Sequence, residues 1–248
     1  MTACQLTAHG TPGRFELKEL PDPRPGPGEA VVRVAACGLN HLDLWLEADG
    51  LPITPRLPRT PGGEVAGTVT ALGAGVTGWT AGNRVAVQSN LFCGECEFCR
   101  RGEESLCLQG ELLGVQRDGG FATHCVVPAR ALVRLPDAVD FTTSAALTLA
   151  GSTAMHMLTD RAAVRPGDRV LVIGGAGGVG SAAIQIARGL GGRGGADLRA
   201  ALRRLSRRSG PRQHTPRRAG ALAADLRGDP GERARRTDAP RPRAARSA

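Results

Sequence analysis

No apolar run in this sequence approaches the roughly 20 residues that a membrane-spanning helix needs, which leaves no candidate span of that kind. The opening residues, MTACQLTAHG, lack a basic segment followed by an apolar core, so no secretory signal is expected. A cytoplasmic location is the default expectation. In that reducing compartment seven cysteines read as thiols or metal ligands, not as disulfides. Residues 192–248 lack Val, Ile, Phe, Met, Trp and Cys altogether, and five leucines are their only large apolar side chains. DLRAALRRLSRR could form a short amphipathic helix through Leu198, Leu202 and Leu205, but nothing else there could build a core. Such a segment cannot offset its own ordering entropy, and disorder is expected.

The same tail explains the charge. A net +9 suggests nucleic acid until it is located. Residues 1–191 carry 16 basic and 18 acidic side chains, whereas residues 192–248 carry 16 and 5. The body is an ordinary, slightly acidic globular sequence of a length that holds one large or two modest domains. A basic arm could hold phosphates, but this one has no aromatic residue to stack on bases, so nucleic acid is not expected as a partner.

What is present reads first as β-rich. EAVVRVAACGLN, EVAGTVTALG, NRVAV and GGFATHCVVP are short runs of β-branched residues bounded by Gly, Pro and Asn, as strands joined by tight turns should be. From Asp140 the texture changes: DFTTSAALTLAGSTAMHML is Ala-rich, follows a good N-cap residue and favours helix. A turn at Pro166 and Gly167 then leads to an uninterrupted apolar run from Val170 to Ile173. Such a run fits a strand buried on both faces of a parallel sheet. A Gly-rich loop and a helix from about Ser181 follow.

Cys93, Cys96, Cys99 and Cys107 are spaced C-x2-C-x2-C-x7-C. Three thiolates on a tight loop and a fourth shortly after can converge on one tetrahedral ion, which suits Zn²⁺. An iron–sulfur cluster competes, since its bacterial run also starts C-x2-C-x2-C, but that run continues with x3-C-P. Here seven residues intervene and Leu108 follows Cys107. Four thiolates close the coordination sphere, so the expectation is one structural zinc. In GGAGGVG, Gly175, Gly177 and Gly180 form G-x-G-x-x-G between an expected strand and an expected helix. Glycines let the backbone approach a pyrophosphate, and the helix N-terminus supplies amide donors, through Gly177, Gly178, Val179 and Gly180. The cofactor expected is NADP or NAD. The position about 20 residues on that would choose between them falls in the Arg-rich tail, where Asp197 stands in the wrong context.

Taken in order, PGPGEAVVRV, GLNHLDLW, PGGEVAGTV, GNRVAV, the cysteine cluster, GGFATHCVVP, LTLAGSTAMHML and VLVIGGAGGVGSAAIQIA resemble the medium-chain dehydrogenase/reductase superfamily over residues 1–191. The similarity is to its zinc-containing alcohol dehydrogenases and their quinone oxidoreductase relatives. It implies an α/β architecture: a GroES-like β domain (1–139, zinc lobe 90–110), an incomplete Rossmann-type dinucleotide domain (140–191) and the tail (192–248). Zinc-dependent members place three catalytic ligands where this sequence has Asn40, Gly63 and Leu149, and a proton-relay Ser/Thr where it has Leu42. Glu64 and Asp43 remain, and a substitute site from Cys37, His41 and Glu64 has little to recommend it. His124 and Cys125, on an expected strand, earn the same reading.

Without a Lewis acid to lower a bound oxygen's pKa, hydride should pass only to an acceptor that is already electron-poor. The resemblance therefore implies NAD(P)H-dependent reduction of a quinone or an α,β-unsaturated carbonyl, a small-molecule partner, with no membrane partner. It implies that Asn40 contacts substrate or nicotinamide and that Thr153 lies near the nicotinamide carboxamide; both could equally serve backbone groups. Family members form homo-oligomers, an assembly not expected of a chain whose second half is missing. The tail's Arg, Ala, Gly, Pro, Leu, Asp and Ser are what GC-rich codons give out of phase, so a shifted reading frame near Gly191 is expected to leave cofactor binding impaired. The alternative is a non-enzymatic, zinc-stapled GroES-like module with a basic nucleic-acid-binding tail. NAD against NADP, the acceptor and the oligomer are not legible.

Overall fold

The computed structural model describes residues 1–53 and 55–193. The tail's expected disorder, its amphipathic helix and Asp197 lie outside them. Two strands open the chain, β1 (Thr2–Ala8) and β2 (Arg14–Glu19), paired antiparallel. β3 (Glu29–Gly38) leads into helix α1 (His41–Glu47), and β4 (Glu64–Leu72) and β5 (Arg84–Val87) follow. A small lobe holds β6 (Asn90–Leu91), the single turn α2 (Glu97–Arg100) and β7 (Glu111–Leu112), with β6 paired to β7. β8 (His124–Pro128) and β9 (Leu132–Arg134) complete a five-stranded antiparallel sheet in the order β8-β3-β4-β5-β9.

The four β-branched runs supply four of its five strands. Their inward residues, Val32, Val65, Val69, Val85, Val87 and Val127 among them, are sealed in one core. Each such side chain contributes about 1.5–3 kcal/mol relative to exposure. The register of β3 on β4 slips twice, between Val31 and Val32 and between Val34 and Ala36. Irregularities of this kind bend a strand, and the end of β3 delivers Cys37 to Asn40 beside the start of α1.

Asp140 caps α3 (Phe141–Thr148) by accepting from the Thr143 amide at 2.8 Å and its hydroxyl at 2.7 Å. Helix α3 lies against β3 and β4. At Leu149 the chain turns into α4 (Ala150–His156), which ends in a π-helical turn, Met157–Arg161. Helix α5 (Gly178–Gly189) packs on α4 through Ala154, Leu158, Ala182, Ala183 and Ala187.

Residues 170–173 depart from expectation. They form no strand; Leu171 is 60% exposed and Ile173 91%. A parallel strand holds only when neighbours accept its amides and cover both faces. Among the described residues only Arg193 comes alongside, in an isolated parallel bridge to Arg169. The helix also starts earlier than composition suggests, at Gly178 instead of Ser181, with Gly177 at its N-cap. Among the described residues no helix is long and apolar enough to cross a membrane.

Candidate functional site

The lobe gathers all four clustered cysteines. Their sulfurs lie within 4.8 Å of one another, and all four are free thiols. Cys96–Cys99 is 3.5 Å, Cys93–Cys99 3.9 Å and Cys96–Cys107 4.0 Å. A tetrahedral ion with Zn–S of ~2.3 Å sets sulfurs about 3.8 Å apart, so the quartet fits a single ion; a cluster of several irons would spread them wider. Amides reinforce it: Cys93 N donates to Cys107 Sγ and Cys96 N to Cys93 Sγ, both at 3.3 Å. The amides of Cys99 and Leu108 pull the Cys96 thiol down to about 6, toward the thiolate a metal takes, whereas burial pushes the Cys99 thiol up to about 12.

Asn40 is the N-cap of α1, and its amide donates to Asp43 Oδ2 at 2.8 Å. Asp43 Oδ1 accepts from Gly62 N at 3.3 Å, and burial holds the Asp43 carboxyl above its ordinary value. Glu64, 3% exposed, receives both Leu149 N (3.0 Å) and Ala150 N (2.8 Å) on one oxygen, which caps α4 from the sheet. Ser89 Oγ donates to Gly63 O at 2.5 Å. These bonds draw the neighbourhoods of Asn40, Gly63 and Leu149 to one junction, and none of the three is a His, a Cys or a carboxylate, the side chains that hold zinc. Leu42 packs against Leu6, Leu46 and Val115 and carries no relay hydroxyl. Cys37 packs against the sheet core, where burial pushes its thiol up to about 12. His41 is exposed, edge-on to Trp45 with ring centroids 5.7 Å apart. Cys125 is sealed in the core with its thiol near 12, and His124 only meets Thr123 Oγ1 at 3.2 Å. Among the described residues the lobe quartet is the single group of three or more His, Cys, Asp or Glu placed to share an ion.

One polar atom in this junction is left over. Asn40 Nδ2 is buried and has no hydrogen-bond partner; a buried donor without an acceptor costs about 1–3 kcal/mol.

The glycine loop fits a phosphate. Gly177 is the N-cap of α5 and carries no side chain, so the amides of Gly178, Val179 and Gly180 meet no side-chain cap. Gly174 has φ +75°, and a Cβ on Gly180 would lie 2.2 Å from Gly174 O. The turn is therefore tight by close packing of the loop on its helix, the role the third glycine has in a dinucleotide site.

Between β5, β9, the lobe and the α3–α4 pair opens a cleft of about 1030 Å³. Leu149 and the exposed Thr153 line it, as do Ser89 and Asn90 at the end of the NRVAV strand. The resemblance set Thr153 beside a nicotinamide carboxamide; Thr153 lines this cleft, whose other polar residues Ser89, Asn90, His156 and Asp160 the sequence reading did not single out. His156 and Asp160 stood at helical spacing, H-x3-D, across the end of the segment read as helix, which stopped at Leu158, and that was the available signal.

Residues 26–137 match the profile of the alcohol dehydrogenase GroES-like domain. The chain is 36% identical over 178 residues to an alcohol dehydrogenase of Geobacillus stearothermophilus, covering 71% of this chain and 52% of that protein. A solved NAD-dependent alcohol dehydrogenase superposes with a TM-score of 0.75 at 40% identity, over 82% of this chain and 61% of that one. The cobalt- and zinc-bound thermostable alcohol dehydrogenase of Pyrobaculum aerophilum gives 0.72 at 36% identity, over 82% and 63%. The chain spans about half the length of the curated relatives it matches.

Proposed function

Because this chain belongs to the zinc-containing alcohol dehydrogenase family of the medium-chain dehydrogenase/reductases, we propose that it is an NAD(P)H-dependent oxidoreductase reducing a quinone or an α,β-unsaturated carbonyl without a catalytic zinc. We divide it into a GroES-like domain (1–139), a dinucleotide domain begun at 140–191, and the tail. The observation that carries the reading is the donor set at the junction. Asn40, Gly63 and Leu149 offer no His, Cys or carboxylate to a zinc ion, and the carboxylates beside them, Asp43 and Glu64, are already held by backbone amides. An electron-poor acceptor needs no metal to polarise it, since conjugation spreads the developing charge; the site has to position it and donate hydrogen bonds.

Cys93, Cys96, Cys99 and Cys107 hold one zinc that braces the lobe. Gly175, Gly177, Gly178, Val179 and Gly180 cradle the dinucleotide phosphates, and the bound nicotinamide supplies hydride. Thr153 orients the carboxamide from the wall of the cleft, and Asn40 Nδ2 donates to an oxygen of the acceptor or nicotinamide. The purified chain should carry one zinc by elemental analysis and, with its dinucleotide domain only begun, bind NAD(P)H saturably but weakly and oxidise it slowly with a quinone or enone. Turnover of simple alcohols alone, or a second equimolar zinc, refutes this reading. The exposure of Leu171 and Ile173 favours one competitor, a zinc-stapled binding module without activity; that reading requires no saturable NAD(P)H binding.

A further inference from the structure

Hydride addition to a conjugated acceptor leaves an oxyanion that must gain a proton. At the Asn40 junction Leu42 stands where a relay hydroxyl would be, the Ser89 hydroxyl is spent on Gly63 O, and the Asp43 carboxyl, raised by burial, is held between the backbone amides of Asn40 and Gly62. The cleft wall does carry a candidate. Leu149, Thr153, His156 and Asp160 follow one another at spacings of four, three and four along α4 and its π-helical end, and all four line the cleft. Residues so spaced share a helix face, about 5–6 Å apart between Cβ atoms at each step. His156 Nδ1 meets Asp160 Oδ2 at 2.5 Å, and Thr159 Oγ1 donates to Asp160 Oδ1 at 2.9 Å. Both oxygens of the carboxylate are thus engaged. The π turn that carries Asp160 is an uncommon geometry that often marks functional sites.

Resting on the functional reading above, we propose that His156 is the proton donor for the reduced acceptor and that Asp160 is its positioning residue. Asp160 takes the Nδ1 hydrogen and so fixes the ring, leaving Nε2 to face the ligand, the division of labour that orients a catalytic imidazole. The Thr159 hydroxyl and then His156 hold the Asp160 carboxyl below its ordinary value, so it is an anion beside the ring. The step balances. Two electrons arrive on the acceptor as hydride from the nicotinamide, and the resulting enolate or quinol oxyanion takes the Nε2 proton at oxygen, the enol then tautomerising to the ketone or aldehyde. A saturated carbonyl or a quinol leaves, and the neutral imidazole recovers a proton from water, since His156 and Asp160 are partly open to solvent. Glu103 and Glu104 from the lobe, Arg134 from β9 and Arg161 are the other charged groups lining the cleft.

The test uses the full chain in two arms. In the first, quinone or enone reduction by NAD(P)H is compared in wild type, His156→Gln, His156→Ala and Asp160→Asn, with NAD(P)H affinity measured by fluorescence. General acid catalysis contributes roughly 10²–10⁴-fold. His156→Gln should therefore lose about 100-fold in kcat with NAD(P)H affinity unchanged, and added imidazole should restore part of the rate to His156→Ala. Asp160→Asn should lose about tenfold, without rescue. A His156→Gln rate within twofold of wild type, or a loss that imidazole does not repair, overturns the proposal. The second arm needs no cofactor: 4-nitrophenolate, an oxyanion whose colour reports its proton, is titrated into the protein. Saturable binding with bleaching that His156→Gln abolishes supports the donor, and no bleaching in wild type overturns it. If wild type reduces no acceptor yet bleaches the probe through His156, the functional reading fails while the donor stands.

Discussion

The cysteine lobe and the glycine loop are both Gly-rich turns built to hold an ion or an anion, yet they reach different states of completion. The lobe closes on itself. Its four sulfurs, the amides that face them and the β6–β7 pair all come from one short stretch, and the quartet is assembled with tetrahedral spacing. The glycine loop has its helix and its tight turn, but the segment leading into it is bare, with Ile173 91% exposed. The difference lies in where each motif's partners are. A metal lobe satisfies its ligands locally, whereas a phosphate loop depends on a parallel sheet whose neighbouring strands are distant in sequence.

The sharpest way to break this comparison is to open the lobe. Cys96→Ser removes the thiol that backbone amides hold down at about 6 and leaves three ligands. Structural zinc in small domains is worth of order 10 kcal/mol of folding energy. Zinc content should fall from one per chain to near zero, with new proteolytic cuts between residues 93 and 107, while NAD(P)H binding changes little. A variant that keeps its zinc would show that the lobe is not closed by this quartet. Next in size is Glu64, the carboxylate that joins β4 to α4. Glu64→Ala orphans two amides at a helix start and should lower unfolding free energy by about 3 kcal/mol; Glu64→Gln, which can still accept, should cost about 1. Equal losses in urea melts would mean that charge alone, and not the pair of accepted hydrogen bonds, is what Glu64 contributes.

The contrast also explains what could be read in advance. Alternating β-branched runs specify strands through local pattern, so β3, β4, β5 and β8 were visible, as was α3 from Asp140 and its helical spacing. The cysteine spacing was legible for the same reason, since its geometry is short-range. Val170–Ile173 was misread because a run of apolar residues states a preference for burial but not whether anything is there to bury it. His156 and Asp160 went unread because a helix face with His and Asp four apart is ordinary; only the π turn and the cleft give it meaning. Glu64 was seen as a residue left standing beside a lost ligand, and its service to Leu149 and Ala150 needed the fold.

A third variant probes the loop itself. Gly180→Ala places a Cβ against Gly174 O, which must then move. The loop amides should be pushed out of register with a pyrophosphate, and NAD(P)H affinity should drop about tenfold, equivalent to about 1.4 kcal/mol, with zinc content and the melting of the β domain unaltered. Unchanged affinity would mean that the cofactor, if bound, does not rest on this turn, and the second half of the comparison would lose its subject.

The smallest effect concerns Asp43, and it turns on sign. Burial raises the Asp43 carboxyl, while the amides of Asn40 and Gly62 oppose that shift. A carboxyl raised in the folded state binds its proton more tightly there than in the unfolded chain. Its contribution is therefore full below the ordinary carboxylate value and fades as pH climbs through the raised one. Asp43→Asn has no such titration; at low pH the protonated carboxyl still offers a hydroxyl oxygen that can accept weakly, where the variant turns an NH2 toward an amide, so the variant should be less stable than wild type by about 1 kcal/mol. As pH rises that gap should narrow, because only wild type carries the growing cost of a buried anion. Chemical denaturation of both proteins across the carboxylate range reads the gap directly, and the carboxylates common to both cancel in it. A gap that widens with pH would mean that the two amides outweigh burial and that Asp43 sits at the junction as a stabilised anion. The site would then already hold the negative charge that attracts a cation, and a junction without a metal would become the harder position to defend.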